Sequence, residues 1–261
     1  MTVFLHELKR NRLALSIWTL AITFMLAVSI FIYPEMAGEM EGLSDMFANM
    51  GSFSDAFGMD QLNFGEFMGY FGIECGNTLG IGGALFASIL GIAALAKEEK
   101  DGTAEFLLTH PLSRTRVLFE KALALLAEIL FLNLTVLAAS ALCATVIGAE
   151  VKWPAFFLLL LSHLLLQIEL GLITLGLSAF LRGNGLGLGM GLSLLLYFLN
   201  ILSNLTKEVK FLKYFTPFSY VDSAHIVNNC TLEWKYLLPG LLLAALVLAI
   251  GWKKYTVKDI S

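Results

Sequence analysis

The chain has 261 residues, of which 57% are hydrophobic and 15% are charged, and its net charge is −4. Soluble domains carry about 25% charged residues, so a chain this apolar cannot bury its hydrophobic surface in one water-soluble core. No basic patch interleaved with aromatic residues occurs, which argues against nucleic-acid binding. The apolar residues fall in long runs, and a helix needs about 20 of them to cross a bilayer. Composition therefore predicts a polytopic, all-α membrane protein.

Six apolar runs predict six transmembrane helices in a single domain that covers residues 1–261. Residues 1–12 mix apolar and charged side chains at helical spacing, which predicts an interfacial helix before the first span. Pro34 is expected to end that span. The predicted spans are residues 13–33, 71–96, 122–148, 155–181, 186–205 and 236–252.

The distribution of Lys and Arg predicts the orientation. With six spans both termini lie on one side, and the segments on that side hold most of the basic residues. The positive-inside rule then makes both termini cytoplasmic. The segment 34–70 contains seven acidic residues and no Lys or Arg, so we expect it to be extracytoplasmic. Three lysines in 207–213 count against this orientation, although their long side chains can reach the interface.

The cytoplasmic segment 97–121 contains the residues that typically start and end a short helix, and it lies between two spans. Gly102 permits a tight turn, and Thr103 is a candidate N-cap for a helix that Pro111 ends. Ser113 can cap the helix that returns to the membrane. These signals predict a structured connection between spans two and three.

This short helix would expose Phe106, Leu107 and Leu108 at the cytoplasmic end of a span. Glu105 lies in its first turn, where the helix dipole favours a carboxylate. Exposed leucines need a partner surface, so we interpret the segment as a docking element. The alternative is a cytoplasmic loop without a partner, and Arg114 can equally be one of the residues that set the orientation.

The segment resembles the ABC-2 family of ABC-transporter permeases, in which an acidic cluster precedes Gly-Thr, Leu-Leu, and then Pro and Arg leading into a helix. The resemblance extends over essentially the whole chain, although only 97–121 is distinctive. It implies a coupling helix that sits in a cleft of an ATP-binding subunit, with a contribution from residues 1–12. The matching positions are Glu98, Glu99, Gly102, Thr103, Leu107, Leu108, Pro111, Ser113, Arg114 and Lys121. The predicted ATPase-coupling residues are Glu98, Glu99, Gly102, Thr103, Glu105, Phe106, Leu107, Leu108, Pro111 and Arg114.

The chain has no GxxxxGK[ST] phosphate-binding loop, so the energy for transport must come from a separate ATPase subunit. We expect no enzymatic activity and no cofactor on this chain, with ATP and Mg bound by the partner. The resemblance implies two permeases, identical or paralogous, with two ATPases in a bacterial cell membrane. A hydrophobic or amphipathic substrate, exported from the membrane, is the expected cargo.

Several polar residues interrupt the predicted spans, and an ionisable residue inside hydrocarbon is a functional candidate by default. His163 and Gln167 share a helix face, and Glu169 lies near the middle of span four. They are translocation-path candidates, but hydrogen bonding between helices is the interpretation that we favour. Two other functions stay open, a secondary transporter driven by an ion gradient and an intramembrane enzyme that uses Glu169 and His163. The three cysteines are far apart, lack metal-site spacing and are expected to be unpaired.

Overall fold

The structure is a computed structural model of the chain. It describes residues 2–48, 62–100, 113–181, 183, 185–205 and 207–257, without the side chains of 38–48, 98–100 and 207. Within these ranges every regular element is helical, and six helices are long and apolar enough to cross a membrane. The predicted all-α polytopic fold with six spans is confirmed.

The helices follow the predicted spans with shifted ends. Spans two and four begin before their predicted starts. Span three begins eight residues earlier than expected, at Arg114. The elements in chain order are α1 (Thr2–Ala48), α2 (Phe67–Cys75), a π-helical segment (Gly76–Ile81), α3 (Gly82–Lys100), α4 (Arg114–Val146), α5 (Trp153–Ser178), α6 (Leu186–Leu205), two 3₁₀ helices (Lys207–Tyr214 and Pro217–Val221), α7 (Ser223–Asn229) and α8 (Trp234–Val257).

The first helix does not end at Pro34, and that prediction is wrong. An interior proline removes one helical hydrogen bond and usually kinks or breaks the helix. Here the neighbouring Tyr33 fixes the backbone, because its hydroxyl donates to the Gly65 carbonyl at 2.7 Å. Its ring also packs edge-on against Phe67, with ring centroids 5.4 Å apart. These contacts hold the helix across the proline, and α1 continues to Ala48.

Residues 2–12 do not form a separate interfacial helix, so that prediction is also wrong. They are the first three turns of α1, because no proline or glycine interrupts the chain between Thr2 and Tyr33. The amphipathic pattern that suggested an interfacial helix has another cause. Its charged residue Glu7 is only 3% exposed and faces other helices of the bundle.

Helix α5 lies at the centre of the bundle, and glycines of the second span let it approach closely. A methyl group at Gly83 would lie 2.2 Å from the Gln167 amide nitrogen, and one at Gly91 would lie 2.2 Å from the Thr174 hydroxyl. The contacts advance along both helices together, so the two run in the same direction. Small residues are the usual means of close helix packing in membranes.

The two ends of the bundle differ in character. We call the end that carries both termini the terminal end. There Val3 of α1 contacts Glu120 of α4, and Tyr255 of α8 contacts Arg114. At the other end, which we call the distal end, Lys152 and Glu66 form an exposed salt bridge of 3.0 Å. The connection between α3 and α4, which holds most of the predicted coupling segment, belongs to the terminal end.

Candidate functional site

A buried ion network joins three helices at the terminal end. The Lys121 ammonium lies 2.6 Å from one carboxylate oxygen of Glu7 and donates to the Ala94 carbonyl at 2.7 Å. Arg10 donates to the other oxygen of Glu7. The Lys121 side chain is 0% exposed, and a charge in apolar surroundings persists only when it is paired. Lys121 of α4 therefore holds α1 and the end of α3 in fixed positions.

Glu120, the neighbour of Lys121, caps the start of α1. One of its carboxylate oxygens accepts hydrogen bonds from the backbone N–H groups of Val3 and Phe4, at 3.0 and 3.2 Å. The other accepts from Arg116 at 3.0 Å. The first N–H groups of a helix have no partner within the helix, and the helix dipole favours an anion there. This contact places the N-terminal turn of α1 against the first turns of α4.

Arg114, a predicted coupling residue, is the first residue of α4. Its guanidinium donates to the carbonyl oxygens of Tyr255 and Thr256, at 3.3 and 3.5 Å, in the last turn of α8. A cation at a helix C-terminus pairs with carbonyls that lack helical partners. The Ser113 hydroxyl accepts from the Arg116 N–H at 3.3 Å, which confirms the predicted cap of α4.

The other predicted coupling residues lie at or beyond the end of α3. The backbone of Glu98 and Glu99 is in its last turn. The remaining predicted residues are outside the described ranges; they are Gly102, Thr103, Glu105, Phe106, Leu107, Leu108 and Pro111. The described flanks of the segment are both held at the terminal end, one through Ala94 and one through Arg114.

Gln167 joins α5 to α4. Its side-chain oxygen accepts from the Asn133 amide at 2.7 Å, and Asn133 also donates to the Ile129 carbonyl at 2.8 Å. Gln167 is 0% exposed. For this residue, the structure favours the interpretation of hydrogen bonding between helices.

His163 is buried beside the π-helical segment. Its Nδ1 lies 2.8 Å from the Leu159 carbonyl of the same helix, while Nε2 has no hydrogen-bond partner among the described residues. The ring lies against Gly80, where a methyl group would be 3.3 Å from Nε2. His163 also lines a cavity of about 100 Å³ between the π-helical segment and α6, to which Asn77 and Asn200 contribute.

Glu169 lies on another side of α5. Its carboxyl accepts from the Tyr220 hydroxyl at 3.0 Å, which ties α5 to the second 3₁₀ helix. Burial, and then the neighbouring carboxyl, raise the pKa of Tyr220 well above its ordinary value, so the phenol stays a neutral donor. A methyl group at Gly240 would lie 2.4 Å from a Glu169 oxygen, so the carboxyl occupies space that a glycine of α8 leaves open.

In the described part of the chain, no group of three His, Cys, Asp or Glu side chains is arranged to hold a metal ion. Cys75 is buried, Cys143 half-buried and Cys230 exposed, and all three are unpaired.

Sequence reasoning missed the ion network of the terminal end. Part of its signal was present, because Glu7 and Arg10 are one helical turn apart, just before the first long apolar run. Glu120 and Lys121 likewise open a long apolar run. What the sequence lacks is any indication that these two pairs meet across more than 110 residues.

One of two comparisons with known proteins identifies a family. A search of curated proteins finds no match. The protein family described as ABC-2 family transporter protein matches residues 1–260. This range covers all six spanning helices, the N-terminal turns and the connection between α3 and α4. With essentially the whole chain matched, this multi-pass membrane protein belongs to the ABC-2 family of ABC-transporter permeases.

Proposed function

We propose that this chain forms the translocation path of an ATP-driven exporter and is coupled through residues 97–121 to a separate ATPase. Its family makes it a transport subunit rather than a catalytic one and implies association with an ABC ATPase. In the proposed complex that subunit binds ATP and Mg, and this chain binds no cofactor. The observation that carries the proposal is the set of contacts around the two flanks of the segment.

Four spanning helices meet at these flanks. Lys121 connects α4 to the Ala94 carbonyl near the end of α3 and to Glu7 of α1. Arg114 connects the same helix to the end of α8. A displacement of the segment would therefore reach four helices at once, because buried charge pairs are costly to separate. Such a packed element can transmit motion from an ATPase surface to the path.

The coupling proposal is tested by Leu107→Asp and Leu108→Asp, which place a charge in the proposed docking helix. We expect loss of co-purification with the ATPase and loss of stimulated ATP hydrolysis, because a buried charge opposes docking. Val257→Asp is the matched control, since Val257 is 74% exposed at the same end of the bundle. Unchanged co-purification and hydrolysis in both Leu variants would contradict the proposal.

The proposed orientation places the terminal end in the cytoplasm of a bacterial cell, where ATP is available. It is supported by the excess of basic residues on that side. Cys230 is exposed and precedes α8 at the distal end, so a membrane-impermeant maleimide should label it in intact cells. Cys230→Ser should abolish that signal. Labelling of Cys230 only after permeabilisation would show the opposite orientation, with the distal end in the cytoplasm.

The proposed assembly contains two permeases and two ATPases. Large apolar side chains of α6 and α8 are exposed on the single chain, among them Phe198 and Leu242, and lipid or a second permease would cover them. The mass of the purified complex tests this stoichiometry, and a single permease per two ATPases would contradict it.

The intramembrane-enzyme alternative is disfavoured by the placement of its two residues. Positions six apart on a helix differ by about 9 Å along the axis and about 240° around it. His163 faces the cavity beside the π-helical segment, whereas Glu169 contacts Tyr220. The pair does not share a reaction centre. Of the three translocation-path candidates, His163 keeps the strongest support, because it lines a cavity and Gln167 is engaged with α4.

The secondary-transporter alternative differs from the proposal in its energy source. Transport by the reconstituted permease that persists without an ATPase, and that stops when an ion gradient is collapsed, would favour it. The proposal expects transport only with the ATPase and ATP.

A further inference from the structure

A second cavity, of about 250 Å³, lies at the terminal end between α1, α3, α4 and the start of α6. Water occupies about 30 Å³ per molecule in the liquid, so this volume equals about eight water molecules. That is the size of a small polar head group rather than of a whole lipid. The cavity is separate from the one that His163 lines.

Two buried polar atoms on the wall of this cavity have no hydrogen-bond partner among the described residues. One is Oε1 of Glu128 and the other is Nε of Arg10. Glu128 is 1% exposed, and its other oxygen accepts from Asn11 at 3.3 Å. Buried polar groups are nearly always satisfied in native structures. Among the described residues, a carboxylate oxygen and a guanidinium N–H on this wall are therefore left without a partner.

The charged side chains that line the cavity offer a ligand one carboxylate acceptor and several cationic donors, once the carboxylate of Glu7 is paired. Arg10 and Lys121 both bind Glu7, and this cluster satisfies its carboxylate. Lys97 of α3 also lines the cavity, and the described residues at the start of α6 contribute no charge. What remains is a Glu128 oxygen on one wall and the cations Arg10 and Lys97 on others. This arrangement is complementary to a zwitterion.

The rest of the wall is apolar, with Ile89, Leu90, Ala93, Leu125 and Leu186. A ligand that suits both parts has a polar head and a hydrocarbon tail.

We propose that this cavity binds the head group of an amphiphile that carries a primary ammonium next to a phosphate. The ammonium donates to Glu128 Oε1, and the phosphate lies towards Arg10 and Lys97. The apolar wall contacts the first carbons of the tail. The proposal rests on the proposed function, because it gives the amphipathic cargo a chemical class and a place of entry. Binding itself needs no ATPase, so the two can fail separately.

The test uses the full-length chain in maltoside detergent, titrated with dihexanoyl phosphatidylethanolamine and followed by native mass spectrometry. We expect saturable binding of one lipid. Dihexanoyl phosphatidylcholine has no ammonium N–H and should bind at least about tenfold more weakly, because hydrogen bonds to charged groups are strong. Glu128→Gln should weaken the ethanolamine lipid by a similar factor, and Lys97→Gln should do so by a few-fold. Glu66→Gln, a change in an exposed carboxylate at the distal end, is the matched control.

Soluble phosphoethanolamine separates a lipid site from a site for a free metabolite. The proposal expects it to bind more weakly than the lipid, since it lacks the tail. Equal affinity for the ethanolamine and choline lipids would overturn the proposal, and this comparison needs no variant. Preference for an anionic phosphatidylglycerol that persists in Glu128→Gln would also overturn it, because the site would then recognise the anion alone.

Discussion

The buried charge pair between Lys121 and Glu7 gives the sharpest prediction about stability. Lys121→Met removes the ammonium and leaves two buried acceptors, a Glu7 oxygen and the Ala94 carbonyl. Breaking a buried pair from one side costs about 3–5 kcal/mol. Arg10 still binds Glu7, so the cost should be at the lower end, about 3 kcal/mol. The double variant with Glu7→Gln should cost less than the sum, since both changes remove one interaction.

The free energy of unfolding can be measured in mixed micelles by titration with SDS, followed by far-UV circular dichroism. Lys152→Met is the matched control, because its pair with Glu66 is more than half exposed on both sides. Exposed pairs contribute about 0–1 kcal/mol. A cost for Lys121→Met that equals the cost of the control would refute the reasoning. It would mean that the buried ion network at the terminal end does not hold α1 and α3 against α4.

Two further predictions concern helix packing. Gly251→Ala should destabilise the bundle by about 1–3 kcal/mol, because the added methyl group would lie 2.3 Å from the Gly176 backbone oxygen. Gly187→Ala is the control and should have little effect, since no atom lies within 4 Å of a methyl group there. Equal unfolding free energies for the two variants would contradict the contact at Gly251. Tyr220→Phe should lower stability by about 1–3 kcal/mol by leaving the Glu169 carboxyl without its donor, and a thermal melt unchanged from the wild type would argue against that bond.

The sequence predicted the fold because six apolar runs leave few alternatives in a bilayer. It also predicted the cap of α4, which depends on local chemistry at Ser113. It misplaced the end of α1, because the contact that compensates for Pro34 comes from Gly65, 31 residues away. Local rules for proline carry no information about such a partner.

The polar residues inside the bundle could be found from the sequence, but their partners could not. His163 and Gln167 were expected to share a face, and both lie against glycines of the second span. The bond between Gln167 and Asn133 and the bond between Glu169 and Tyr220 depend on which helices are neighbours. Helix adjacency is set by packing over the whole bundle, and a single sequence does not encode it in a readable period.

The central claim is that residues 97–121 dock on an ATPase, and site-specific photocross-linking in the native membrane tests it most directly. A photoreactive p-benzoylphenylalanine replaces Leu108 in one variant and the exposed Val257 in the other. We expect a cross-link from position 108 to an ABC ATPase subunit and a much weaker one from position 257. Cross-links from position 108 to lipid or to the permease alone, while the ATPase still co-purifies, would contradict the claim.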